Sequence, residues 1–262
     1  MISIVMAYWN RRAQLKRTLD SLMRSAYKDI EIIVVDDGSS EEERVEDLQS
    51  SYPLRVIRIE PKDKYYRDSC IPFNMGFLQV NGDKVVIQNP ESLHYTDNLS
   101  FIDKNLNDSN YFSFACYSLA EDQTLCYNPN ETLVFRPGDY GDYPDYLTRR
   151  EGWFNHARHR ITGYHFAAAI TTKNLKEIKG FDERYQQSIG FGDTEFLIRV
   201  KRKGLSVVIT DETNMVLHQH HIAREFSWDF PNHELKAYSM SLLNQTNTES
   251  YIAAPENKVF NG

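Results

Sequence analysis

Three stretches far apart in this chain carry carboxylates and imidazoles in patterns that could do chemistry. The first is Asp36-Asp37, which follows Ile32-Ile33-Val34-Val35 and precedes Gly38-Ser39-Ser40. Two adjacent carboxylates at the end of a buried strand repel each other, a costly place for charge without a ligand. A carboxylate there could accept a hydrogen bond from a uracil N3–H or from ribose hydroxyls. The same residues also read as a turn, with Ser39 or Ser40 capping a helix from Glu41, and one Asp can cap while the other binds. The second stretch is Gly190-Phe191-Gly192-Asp193-Thr194-Glu195, followed by Arg199. It sets a carboxylate at a helix start, beside glycines that leave open space. Its plainer reading is Asp193 as N-cap, with Glu195 and Arg199 as an i,i+4 pair. The third stretch, Met215-Val216-Leu217-His218, returns an imidazole able to ligate a metal, with His220 and His221 close behind. Strand alternation would point His218 and His220 to one face and His221 to the other.

The elements that must position these groups are legible as hydrophobic periodicity. Ile2–Ala7, Glu31–Val35, Leu54–Ile59 and Lys84–Ile87 read as short buried strands. Arg11–Arg24 carries Leu15, Leu19, Leu22 and Met23 on one helical face. Glu41–Gln49 reads as a charged helix, and Asp68–Val80 as a helix entered near Pro72. Strands alternating with helices predict an α/β fold with a mostly parallel, doubly wound sheet flanked by helices. Ligands in such sheets sit beyond the carboxyl ends of the strands, which puts the segments after Ala7, Val35 and Ile87 on one rim. Further on, Tyr111–Leu119 reads as one strand and Gly138–Tyr146 as a Gly/Pro loop rich in Asp and Tyr. Phe166–Thr171, Leu205–Ile209 and Met215–His218 read as strands. Lys173–Ile178, Asp193–Lys203 and His233–Leu243 read as helices, with a frayed tail. Residues 1–222 form the expected domain, and 223–262 a helix and tail packed on it or trailing from it.

Bulk properties bound the function. A chain of 262 residues, 41% hydrophobic and 26% charged, can bury a sizeable core. A net charge of −7 lacks the basic footprint of a nucleic-acid partner. Cys70, Cys116 and Cys126 are odd in number and in no metal-ligand spacing, which fits buried thiols in a reducing compartment. No signal peptide and no transmembrane segment is visible, so a cytoplasmic protein is expected.

The segment Ile2–Ser40, with Tyr8-Trp9-Asn10 after the first strand, resembles the family 2 glycosyltransferases. Tyr164-His165-Phe166-Ala167, Gly180-Phe181, Gly190-x-Gly192-Asp193, Arg199 and Met215-x-x-His218 resemble the β-1,4-galactosyltransferase and polypeptide N-acetylgalactosaminyltransferase branch. The two regions cover about half the chain. The resemblance implies the GT-A (nucleotide-diphospho-sugar transferase) fold and a UDP-sugar donor. It implies that Ala7, Tyr8, Asp36, Asp37, Arg67 and Asn89 bind the donor nucleotide. The family usually carries Asp-x-Asp after the fourth strand; this chain has Asn89-Pro90-Glu91. One carboxylate survives, so Glu91 and His218 are the expected metal ligands. Imidazole ligation favours Mn²⁺ over Mg²⁺. Asp193 is the expected general base, taking the proton of an acceptor hydroxyl in an inverting transfer, an effect of about 10²–10⁴-fold. The family usually has an acid immediately before that base, where this chain has Gly192.

Trp153, Glu195 and Tyr164 are expected on the side of a glycan or glycoconjugate acceptor, with core packing the stronger alternative for Trp153; Tyr140, Tyr143 and Tyr146 read as a further aromatic platform or as an exposed loop that closes on ligand. Two rivals stand beside this reading. A sugar-1-phosphate nucleotidyltransferase would need a Gly-rich basic loop where this chain has Ala7-Tyr8-Trp9-Asn10-Arg11-Arg12. A non-catalytic nucleotide-sugar-binding or assembly module fits the eroded Asn89-Pro90-Glu91.

Overall fold

The computed structural model of the chain describes residues 1–135, 152–188, 190–221, 231–249, 251–255 and 257–260. The chain runs β1 (Ile2–Tyr8), α1 (Arg12–Met23), β2 (Ile30–Asp37), β3 (Leu54–Ile59), α2 (Cys70–Phe77) and β4 (Lys84–Gln88). It continues through β5 (Ser92–His94), α3 (Asn98–Asn105), β6 (Asn110–Ser113), β7 (Ala115–Ser118) and α4 (Glu121–Leu125). Then follow β8 (Gly152–Asn155), β9 (Ala167–Thr171), α5 (Thr172–Ile178), α6 (Gly192–Arg202), β10 (Ser206–Ile209), β11 (Met215–His218) and α7 (Pro231–Thr248).

The seven-stranded sheet has the order β10-β6-β9-β4-β1-β2-β3. Its pairings β1–β2, β2–β3, β1–β4 and β6–β10 are parallel, while β9 lies antiparallel between β4 and β6. Strands buried on both faces read as unbroken apolar runs, which is why β1 and β2 were legible. Ile4, Met6, Ile32 and Val34 face α1 and α3, where Leu15, Leu19, Leu22, Leu99 and Ile102 complete one core. Val5, Ile33 and Val35 face α2 and α6, with Phe73, Phe77, Phe181 and Phe196, in the other. Here α2 comes so close that a Cβ on Gly76 would lie 2.4 Å from Val5 Cγ1 and 3.2 Å from Val35 Cγ2.

A second sheet, β5-β11-β7-β8, stands beside the first. The single strand expected over Tyr111–Leu119 is two strands, one in each sheet. The break falls at Phe114, whose N–H donates to Ala167 O, after which the N–H of Ala115 donates to Thr210 Oγ1. The helix expected over Glu41–Gln49 is instead two 3₁₀ turns, Glu41–Glu43 and Glu46–Ser50. Only Val45 and Leu48 there are buried, too few to make an apolar stripe.

The tail is not frayed where it is described. Glu183 Oε2 accepts the N–H groups of Lys258 and Val259 at 2.7 and 3.0 Å, and its Oε1 accepts that of Phe260 at 3.1 Å. In return Asn257 Oδ1 accepts the Glu183 N–H at 2.9 Å. Tyr238 of α7 donates its hydroxyl to Arg184 O, and Arg202 of α6 donates to Thr246 O. The tail's apolar residues fall in no regular period, so this docking leaves no pattern in the sequence. Among the described residues no helix is long and apolar enough to cross a membrane.

Candidate active site

The carboxyl ends of β1, β2 and β4 open on one cleft of about 230 Å³, lined by Ala7, Tyr8, Trp9, Arg11, Asp37, Ser69, Phe73, Asn89, Pro90 and Glu91. The loop after β1 is stitched to the loop after β2. Asn10, at φ 46°, accepts the Ser40 N–H on its Oδ1 at 2.9 Å, and its own N–H donates to Ser39 Oγ at 3.0 Å.

The two aspartates at the end of β2 divide their work. Asp36 is fully buried, accepting the Ser39 N–H at 2.9 Å and pairing with Arg58 at 2.6 Å. It braces the turn behind the cleft and does not line it, contrary to its expected place among the nucleotide contacts. Asp37 lines the cleft, held by the Tyr66 hydroxyl at 2.6 Å and by Lys64. Ala7 and Asn89 also line the cleft. Tyr8 borders the cleft, but its hydroxyl is spent elsewhere, donating to Glu43 O and accepting the Arg11 N–H. Arg67 is exposed and is not among the residues lining this cleft or the next.

Glu91 is buried at the cleft floor, where Arg11 Nη1 reaches its Oε1 at 2.7 Å. His218 Nε2 lies 3.4 Å and His221 Nε2 3.7 Å from the same oxygen. Burial alone would raise the Glu91 carboxyl, but the Arg11 guanidinium and the two imidazoles outweigh it and hold it well below the usual carboxylate range. The ligand atoms of Glu91, His218 and His221 lie within 4.8 Å of one another, and Glu91 Oε2 is buried with no hydrogen-bond partner among the described residues. One carboxylate and two imidazoles, with an orphaned buried oxygen, fit a divalent transition metal. His221 joins this set in place of His220, contrary to the alternation expected from the sequence. The strand ends at His218, so its period does not reach further, and the His220 backbone is tied to Thr124 and Gln14.

A second cluster, His156, His159 and Glu212, also has metal-like spacing. It lies at the opposite end of the small sheet from His218, since Gly152 and His218 both pair with Ser118, whereas Asn155 pairs with Cys116. His156 Nδ1 accepts the N–H groups of Arg158 and His159, which puts the ring proton on Nε2, facing Glu212 Oε2 at 3.2 Å. A metal would need that nitrogen bare. The ring works as a clasp for the hairpin turn.

An adjoining cavity of about 250 Å³ shares Ser69 and Asn89 with the first cleft. Asp68, Cys70, His165, Phe181, Gly190, Phe191, Gly192 and Asp193 complete its lining. Asp193 stands in the first turn of α6, after Gly190 and the left-handed Phe191 (φ 67°). Its Oδ1 pairs with His165 Nδ1 at 2.9 Å, and its side chain remains 43% exposed to the cavity. His165 precedes β9, and its ring is wedged against Phe73 and Phe181. Because β9 runs antiparallel, its start, not its end, lies on this rim: Gln88 pairs with Ala167. Asp68 faces the same cavity; burial, with the charge of Asp193 adding, pushes its carboxyl up to about 6.

Three expected acceptor contacts lie elsewhere. Trp153 is buried against Tyr117, Phe135 and His156. Glu195 is fully enclosed and paired with Arg199, as the i,i+4 reading had it. Tyr164 accepts the Ser113 hydroxyl on its backbone oxygen and packs its ring near Phe166, outside the cavity lining. Tyr140, Tyr143 and Tyr146 fall outside the described residues. Asp68 and His165 were missed. The signal for His165 was its position just before a strand, which needed the antiparallel placement of β9 to be read.

Comparison with known proteins bears on the family and the fold. Residues 3–108 match the Glycosyl transferase family 2 description. An uncharacterized glycosyltransferase of Nostoc sp. is 31% identical over 86 residues, 32% of this chain and 26% of that protein, so the chain spans only a minor share of the relative's length. Among solved structures, S. aureus TarS 1–349 in complex with UDP-GlcNAc aligns with a TM-score of 0.63 at 16% identity, over 97% of this chain and 68% of that one. GalNAc-T7 with UDP, GalNAc and Mn²⁺ aligns with a TM-score of 0.61 at 14% identity, over 92% of this chain and 47% of that one. At such identities the likeness establishes the fold, the GT-A glycosyltransferase architecture that the sequence led one to expect.

Proposed function

We propose that the chain is an inverting glycosyltransferase, moving a sugar from a nucleotide-diphosphate sugar, UDP-sugars foremost, to a hydroxyl of a glycan or glycoconjugate. The observation that carries this reading is the junction of the two clefts at Ser69 and Asn89. It sets the cleft of Asp37 and Glu91 beside the cavity of Asp193, so that one donor sugar could reach from the first to the second. The UDP and UDP-GlcNAc bound by the structural relatives support the choice of donor.

In this reading Asp37 accepts hydrogen bonds from the nucleoside, with Lys64 and Tyr66 holding its carboxylate in place. Glu91, His218 and His221 would hold a divalent ion, Mn²⁺ ahead of Mg²⁺. When bound, that ion supplies positive charge against a departing diphosphate. Arg11, already at the cleft floor, offers a second cation to the same oxygens. Asp193 takes the acceptor's proton as the new C1–O bond forms and the C1–O bond to the diphosphate breaks on the opposite face. His165 fixes one Asp193 oxygen and so leaves the other for the acceptor.

The test is release of UDP from a panel of UDP-sugars with Mn²⁺, comparing wild type with Asp193→Asn. The variant should lose about 10²-fold or more of the rate while keeping the thermal stabilisation given by UDP. Equal slow turnover by both proteins would make the chain a nucleotide-sugar-binding module instead.

A further inference from the structure

Asp68 has no part in the reaction above, yet it shares the base's cavity. It stands at the entry to α2, far in sequence from Asp193, and its Oδ1 accepts the Cys70 N–H at 2.9 Å. That bond fixes the carboxylate without exhausting it, since an ionised carboxylate has about four acceptor positions. A side chain at Gly192 would begin 3.9 Å from Asp68 Oδ1, so glycine there leaves Asp68 open toward the space in front of Asp193. Asp193 itself is held at one oxygen by His165. Among the described residues no lysine or arginine lines this cavity, while Phe181 and Phe191 give it apolar wall. Two carboxylates converging on one small cavity repel an anion, and both accept from hydroxyl groups.

We propose that Asp68 is a second acceptor-binding carboxylate, accepting a hydrogen bond from a hydroxyl next to the one that Asp193 deprotonates. The acceptor is then an uncharged sugar with two neighbouring hydroxyls, not a uronate or a phosphorylated sugar. This inference rests on the transferase reading above. No bond is made or broken at Asp68; its work is to hold the acceptor ring so that the reactive oxygen meets Asp193.

The experiment measures UDP release with the preferred UDP-sugar and Mn²⁺ in the presence of neutral methyl hexopyranosides or the corresponding methyl hexuronides. Neutral glycosides should raise release above the rate with water alone, and hexuronides should not. Asp68→Asn keeps an oxygen for the Cys70 N–H. It should lower kcat/KM for the best glycoside by about tenfold or more, with the loss carried by acceptor KM while donor KM shifts far less. A deoxy version lacking the neighbouring hydroxyl should cost wild type a similar factor and cost Asp68→Asn little more. Equal stimulation by hexuronides, no stimulation by any neutral glycoside, or a loss in Asp68→Asn confined to kcat would overturn the proposal. Failure of the transferase reading itself looks different, because wild type and Asp193→Asn would then release UDP equally.

Discussion

Replacing Arg199 by methionine should destabilise the chain severely without touching either cleft. Arg199 and Glu195 have no side-chain exposure, and Arg199 Nη2 donates to Glu195 Oε2 at 2.7 Å. The same guanidinium donates to Ile178 O at 2.6 Å and Gly180 O at 2.9 Å, closing the end of α5. Methionine fills much of the volume but strands the Glu195 charge, with the Tyr251 hydroxyl, 3.4 Å away, as a weak substitute. Breaking a buried ion pair by removing one partner costs about 3–5 kcal/mol. That is a large part of the ~5–15 kcal/mol that holds a typical domain together. Equilibrium urea denaturation should show a lower midpoint at nearly constant slope. The double variant Glu195→Gln/Arg199→Met should recover part of the loss, because no charge is then left alone in the core. Glu195→Gln by itself should leave acceptor KM close to wild type. If Arg199→Met unfolds within 1 kcal/mol of wild type (below the ~3 kcal/mol expected) and the double variant gains nothing, the buried-pair argument is wrong.

Gly76→Ala should destabilise by about 1–3 kcal/mol or more, since its methyl would press into Val5 and Val35, and a thermal melt would register it. Mn²⁺ at ten times its dissociation constant should stabilise wild type by about 1.4 kcal/mol, and Glu91→Gln or His221→Ala should abolish most of that shift. An unchanged melting temperature in wild type at millimolar Mn²⁺ would count against the three-residue set. The raised Asp68 carboxyl also has a stability signature. Its charged form is disfavoured in the folded chain, so its contribution is fully present below the ordinary Asp value and declines as pH rises toward about 6. Asp68→Asn should therefore gain on wild type as pH rises from 4 to 6, reaching about 3 kcal/mol, and stay ahead above it. A gain that instead vanished with rising pH would reverse the assigned sign.

What the sequence made legible follows from how much pattern each element carries. β1 and β2 are apolar runs with polar ends, and α1 has a full leucine stripe, so their places and the rim they share could be read directly. Strand β5 has three residues and β8 four, too short for a period, and both escaped notice. That left Trp153 with two readings, core packing and sugar platform, and its enclosure by β7 and β8 favours packing. The division between Asp36 and Asp37 depended on Arg58, one strand away at the matching register position. Asp68 and His165 were hidden because each flanks an element, and only the sheet order brings them beside Asp193. Glycines 190 and 192 pointed to open space, and the structure fills part of it with a carboxylate from α2's entry.

The Glu183 carboxylate, gripping three successive amides from 258–260, ties the far end of the chain to the wall of the acid-lined cavity. Gly180–Glu183, held by Asn74 on one side and Asn257 on the other, runs into the 3₁₀ turn Glu183–Gln187, which precedes the glycines that frame Asp193. A protease nick between Asn257 and Phe260 would thus loosen the wall behind Asp193, with the side chains of both clefts still intact. Residual activity after limited trimming is in that sense a strain gauge for the whole cavity.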